Sequence, residues 1–167
     1  MTDFQAIADR VEIGALCAEF TDAGMMRDFD RLASLFAEDG VLRIGDAGIE
    51  FASRAEIRTG IERARQFWQY FLQTAHPGVI ELDGDTATGR TYIVEFGRLR
   101  DGSSHLNHSV YHDRFRRTAD GWKFTRRSYE MHYVDSTPLT GKPSPALGEV
   151  LPDAVSPGEF SLGAVSE

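Results

Sequence analysis

The chain has 167 residues, of which 41% are hydrophobic and 26% charged, with a formal net charge of −8 and a sequence pI near 5.1. That length and composition suit one globular domain with one core. The acidic balance argues against a nucleic-acid partner and against docking on anionic membranes, both of which need a basic surface.

Cys17 is the single cysteine, so neither an intrachain disulfide nor a cysteine-based metal site can form. No run approaches the roughly 18 apolar residues of a membrane span, and the acidic N-terminal stretch lacks a signal-peptide pattern. A cytoplasmic location is the expectation.

In chain order, Phe4 to Gly24 predicts a helix: Phe4, Ile7 and Val11 share one spacing, and Ile13, Leu16 and Phe20 continue it. Asp28 can cap a second helix, "DFDRLASLF", which "AEDG" ends with Gly40 just past the terminus. "VLRIG" and "IEFAS" read as short strands around a Gly45–Gly48 turn. Ser53-x-x-Glu56 is a capping box and opens a third helix, "SRAEIRTGIERARQFWQYF".

Beyond His76 the hydrophobic period changes to two. "GVIEL", "TATGRTYIVEFGRL", "HLNHSVYHDRFRR" and "WKFTRRSYEMHYV" are strands joined by the Asp-Gly-containing turns "DGD", "RDGSS" and "TADG". Early helices and late antiparallel hairpins give an α+β architecture. The domain is expected over residues 1–137. Residues 138–167, rich in Pro, Gly and Ser, read as an extended tail.

The order of these elements resembles the nuclear transport factor 2-like superfamily, and three strings resemble its SnoaL-like branch. "DFDRLASLFAEDG" matches the second-helix segment, "IELDGDTATGRTYIVEF" the first long hairpin, and "VYHDRFRRTADGWKF" the last. The resemblance spans Ala6 to Val134. It implies a cone-shaped curved antiparallel sheet wrapped by three N-terminal helices around an internal pocket.

It also implies a cofactor-independent lyase or isomerase of dehydratase or cyclase type, acting on a small hydrophobic, perhaps cyclic, molecule. The superfamily includes non-catalytic members too, so two rivals stay open: a ligand-binding domain without catalysis, and an assembly subunit like the small subunit of ring-hydroxylating dioxygenases. A homo-oligomer, dimer or trimer, is expected by the same analogy, with Trp122 and Phe124 on outer sheet faces in need of cover.

Dehydratase-like members pair an Asp three residues before the "DFD" Asp with a His ahead of the first long hairpin. Here those positions fall on Met25 and Gln73. Either the site has moved to Asp22 and His76, or the pocket does something else. In the first case His76, held extended by Pro77, is the general base and Asp22 orients it. In bland readings His76 is a surface-loop residue and Asp22 a solvated helix carboxylate.

Asn107, Ser109 and Tyr111 alternate on one strand face and read as a pocket-lining polar row. His108 joins them only if a bulge changes the parity. Trp68 belongs to an aromatic cluster placed on the third helix, either core or pocket wall. Arg127 can bind a ligand anion or pair with Asp113 or Glu95. In the reading as a binding domain without catalysis, Met25 gives the pocket a purely apolar floor. No metal is expected, because His108 and His112 on a strand lie about 13 Å apart.

Overall fold

The computed structural model describes residues 4–144. Helices α1 (Phe4–Met26) and α2 (Phe29–Ser34) lead into strands β1 (Phe36–Ile44) and β2 (Ile49–Phe51), followed by α3 (Arg54–Arg65). Strands β3 (Trp68–His76), β4 (Ile80–Asp83), β5 (Thr86–Leu99), β6 (Ser104–Thr118) and β7 (Gly121–Asp135) complete the order. The seven strands form one sheet in the order β2-β1-β7-β6-β5-β3, with β4 also paired to β5. The expected tail boundary at 138 cannot be followed far, since residues 145–167 lie outside the described residues. Its first part is tied down: Leu139 donates its N–H to Ser104 Oγ and accepts from Arg98.

Local chemistry explains the helix ends. Asp28 accepts from the Arg31 N–H and caps α2. Ser53 Oγ accepts from the Glu56 N–H while Glu56 accepts from the Ala52 N–H, the reciprocal capping that opens α3. Arg27, at φ 58, turns the chain out of α1.

Four sequence expectations are corrected. First, α2 ends at Ser34, and Gly40 lies inside β1 rather than beyond a helix. A Cβ at Gly40 would stand 2.9 Å from Phe36 Cβ and 3.2 Å from the Phe124 carbonyl oxygen, so the glycine serves a close approach of strands. Second, α3 stops at Arg65, and Trp68, Tyr70 and Phe71 lie on β3, hydrogen-bonded to β5. Aromatic residues favour strands when a partner is available, and the helical spacing was fortuitous.

Third, β1 pairs in parallel with β7, so the sheet is mixed rather than wholly antiparallel. Fourth, Phe4, Ile7 and Val11 are exposed, whereas Trp122 and Phe124 are buried inside the sheet. The inner position of Trp122 is fixed by Asp9, which accepts from its indole N–H and from Arg117. The apolar residues invoked as an outer oligomer face therefore belong to the core.

The sheet curls over α1, and the concave side divides into a packed half and a hollow half. Phe20, Phe36, Phe115 and Phe124 fill the packed half, their rings in edge-on and tilted contacts. At its centre lies Arg127, fully buried. Its Nε and Nη2 donate to the two Asp113 carboxylate oxygens at 2.8 and 2.9 Å. Its guanidinium carbon stands 4.1–4.3 Å from the ring centres of Tyr111, Phe124 and Phe20. On β6 burial alternates: Asn107, Ser109, Tyr111, Asp113 and Phe115 face inward, while His108, His112, Arg114 and Arg116 are exposed.

Removing one member of a buried ion pair strands the other. Asp113→Asn is expected to lower unfolding stability by about 3–5 kcal/mol in denaturant titrations. Unchanged stability would show that the aromatic cage alone supports Arg127.

Candidate functional site

The hollow half is a cavity of about 150 Å³ between the three helices and the inner faces of β3, β5, β6 and β7. Its walls are mainly apolar: Phe29, Leu32, Ile44, Ile61, Phe71 and Met131 contribute, with Met25 and Trp68. One wall carries hydrogen-bonding groups centred on Glu95, an acid buried on β5.

Glu95 accepts three hydrogen bonds. Gln73 Nε2 donates to Oε1, while Asn107 Nδ2 at 3.1 Å and the Tyr129 hydroxyl at 2.7 Å donate to Oε2. A carboxylate offers about four lone-pair sites, so one on Oε1 is left at the cavity wall. Gln73 Nε2 also approaches the Tyr111 hydroxyl at 3.3 Å, and Gln73 Oε1 accepts from Thr21 on α1. Gln73 thus uses both ends of its amide.

The hydrogen positions follow from donor and acceptor identities. Glu95 only accepts, so the Asn107 amide nitrogen faces it; Ser109 donates to Asn107 Oδ1, and the second amide hydrogen is left for His105 Nε2, 2.7 Å away. His105 Nε2 must then accept, which leaves the ring hydrogen on Nδ1. Burial lowers the His105 pKa below its usual value, against the opposing pull of Glu95's charge, and favours this neutral ring. Burial, reinforced by Glu95, pushes the Tyr111 and Tyr129 phenols above their usual range, so both remain hydrogen-bond donors. Tyr129 spends its hydrogen on Glu95; Tyr111 has no acceptor for its own among the described residues.

The residues singled out from the sequence are distributed as follows. Met25, Trp68, Gln73 and Tyr111 share the cavity wall. Met25 and Gln73 touch, with the Gln73 N–H 3.2 Å from Met25 Sδ. A thioether and an amide therefore stand together where the resemblance implies an acid–imidazole pair. Asn107 stands just behind the wall, bonded to Glu95 and His105.

The other four are elsewhere. Asp22 is exposed and paired with Arg31. His76 ends β3, exposed, beside a separate hollow of about 290 Å³ between α1 and β3–β5. Asp22 and His76 are thus not brought together at the cavity. His108 lies on the outer sheet face against Tyr133, since the bulge after it does not turn it inward. Arg127 is committed to Asp113.

Sequence reasoning missed Glu95, His105, Thr21 and Arg65 as wall residues. Glu95 left a signal: along "TYIVEFG" it alternates with Thr91 and Ile93, an acid on an inward-facing strand row. His105 falls in the same alternation as Asn107 and Tyr111. Among the described residues, no group of three His, Cys, Asp or Glu could hold a metal ion, and no helix is long and apolar enough to cross a membrane.

This cone with a one-sided polar wall defines a class of protein. The profile of the SnoaL-like domain family matches residues 5–128, and the chain belongs to that family. Among solved structures, an NTF2-like protein with a cystatin-like fold from Novosphingobium aromaticivorans is 28% identical. That match covers 90% of this chain and 93% of the other, with a TM-score of 0.67. LinA is 25% identical, over 85% of this chain and 97% of its own, with a TM-score of 0.75. The hexachlorocyclohexane dehydrochlorinase LinA-type3 from Novosphingobium barchaimii shares the fold at 23% identity, with 84% and 97% coverage and a TM-score of 0.72. No curated protein matches the sequence.

The electrostatic coupling of the wall is directly measurable. Glu95 raises the His105 pKa, so Glu95→Gln is expected to move the His105 titration midpoint, followed by NMR of its ring protons, to lower pH than in the wild type. A shift to higher pH would break the assignment.

Proposed function

We propose that the chain is a cofactor-independent lyase or isomerase that abstracts a proton from a small, largely apolar molecule held in the cavity. The observation that carries this reading is the Glu95 carboxylate on an otherwise apolar wall, with three donors on it and one lone-pair site toward the cavity. Those donors fix the carboxylate's orientation, and such pre-positioning is what proton transfer at carbon requires.

The Tyr111 hydroxyl has its hydrogen to give. It shares the Gln73 amide nitrogen with Glu95, so acceptor and donor sit side by side. As Glu95 takes a proton from the carbon next to a carbonyl or leaving group, Tyr111 can donate to the oxygen that gains charge. Gln73 holds both groups in place. The same first step serves elimination, as in a dehydratase, and double-bond isomerisation; the substrate's leaving group decides between them.

The Met25–Gln73 contact favours a second reading, a binding domain without turnover, because neither residue can do the work of a carboxylate–imidazole pair.

One experiment separates them. The protein is incubated in deuterium oxide with a panel of small cyclic enones and β-hydroxy ketones, and deuterium uptake at carbon is followed by mass spectrometry. Catalysed exchange by the wild type, reduced about 10²–10⁴-fold in Glu95→Gln, is the expected result. Exchange that persists undiminished in that variant removes Glu95 from the role. Tight binding with no exchange moves the assignment to the second reading.

A further inference from the structure

Among the described residues, the cavity wall holds a cation without an acidic side-chain partner. Arg65 is the last residue of α3 and lines the cavity, half-buried, with its guanidinium carbon 5.6 Å from the centre of the Phe71 ring. It forms no ion pair with an acidic side chain among the described residues. The neighbouring arginines of α3 behave differently: Arg58 binds Asp30 and Glu62, and Arg54 binds Glu38. In a chain of net charge −8, acids are in surplus, so an unpaired guanidinium facing a cavity does not reflect a shortage of partners.

The surroundings add more positive charge. Arg27, where α1 ends, and Arg100, in the β5–β6 turn, both act on Arg65 as like charges. Together with its burial they pull the Arg65 pKa down to about 10. The aromatic face of Phe71 and the C-terminal end of α3 offset part of this cost, each to a modest degree. What Arg65 itself lacks, among the described residues, is an acidic side chain in an ion pair.

We infer that the cavity's guest carries a carboxylate that seats on Arg65, with its apolar body against Trp68 and Phe71 and its reactive end toward Glu95 and Tyr111. This rests on the reading of the cavity as a substrate site and narrows the substrate class to small organic acids. At about 150 Å³, the space of roughly five liquid water molecules, the cavity suits one ring or a short chain. Opposite charges on its wall would set the guest's direction: the carboxylate is drawn to Arg65 and repelled by Glu95, so it is the uncharged part that meets the acid.

The test uses benzoate and its uncharged counterpart benzamide as probes on the full chain, with affinities from calorimetry and the Trp68 indole NMR signal reporting occupancy of the cavity. Benzoate is expected to bind at least about tenfold more tightly than benzamide. Arg65→Gln should bring benzoate down to the benzamide level, while Arg65→Lys, which keeps the charge, should retain most of the preference. Equal affinities in the wild type, or a preference for benzoate that survives Arg65→Gln, would overturn the inference and leave the cavity reading standing. If neither probe binds or perturbs Trp68, the cavity reading fails and the inference falls with it.

Discussion

A guanidinium with no access to water sits at the centre of the packed half of the cone. Arg127 is locked to Asp113 on the neighbouring strand and covered by the rings of Phe20, Tyr111 and Phe124. Burying such a charge is costly, and the geometry that compensates for it leaves little freedom: two parallel hydrogen bonds and three ring faces must be in place at once. Two of those rings, Phe20 and Tyr111, also line the cavity. The ion pair therefore holds β6 and β7 in register and sets the base of the pocket. Tyr111 can present its hydroxyl to a guest because its ring is held from behind.

On that base the cavity divides its work by element. Helices α1, α2 and α3 supply mainly apolar side chains, with Thr21 and Arg65 the exceptions, whereas β3, β5, β6 and β7 supply the Glu95-centred polar wall alongside Trp68, Phe71 and Met131. This follows from geometry. A strand presents every second residue to the same face, so β6 can line up His105, Asn107, Ser109 and Tyr111 in a row, and β5 places Glu95 directly opposite Asn107. A helix meets the cavity with only a narrow stripe, enough for Thr21 and Met25 from α1. The family's fold is retained while Met25 and Gln73, a thioether and an amide, stand in contact on the cavity wall.

The parts of this architecture that sequence made legible are those fixed locally. The late hairpins were marked by Asp-Gly turns, and Gly84, Gly102 and Gly121 do adopt the positive φ values such turns need. The inward row of β6 followed from simple alternation. Features set by distant partners were not legible. Trp68 and Phe71 satisfy a helical spacing as well as a strand, and only pairing with β5 decides between them. The parallel contact of β1 with β7 joins segments some eighty residues apart, beyond any local pattern. Asp22 and His76 drew attention because their residue types suit catalysis, yet one is held by Arg31 on the surface and the other stands beside a different hollow. Glu95 drew attention only as a possible partner of Arg127, because an acid in a strand is read as solvent-facing or ion-paired unless its row is followed.

The buried Glu95 carboxylate has a consequence beyond its own charge. An amide side chain looks nearly the same either way round, and the strand alone gives Gln73 no reason to choose. Glu95 settles the choice: a carboxylate only accepts, so the NH₂ end turns to Glu95 and Tyr111, and the Thr21 hydroxyl, 52 positions earlier, donates to Oε1 at the other end. Rotated by half a turn, the same side chain would set a carbonyl oxygen against a carboxylate, and electrostatic repulsion would push the acid out of alignment. One buried acid on β5 thus sets the polarity of the wall, because every donor around it must turn a hydrogen toward it, and the hydroxyl that α1 supplies follows suit.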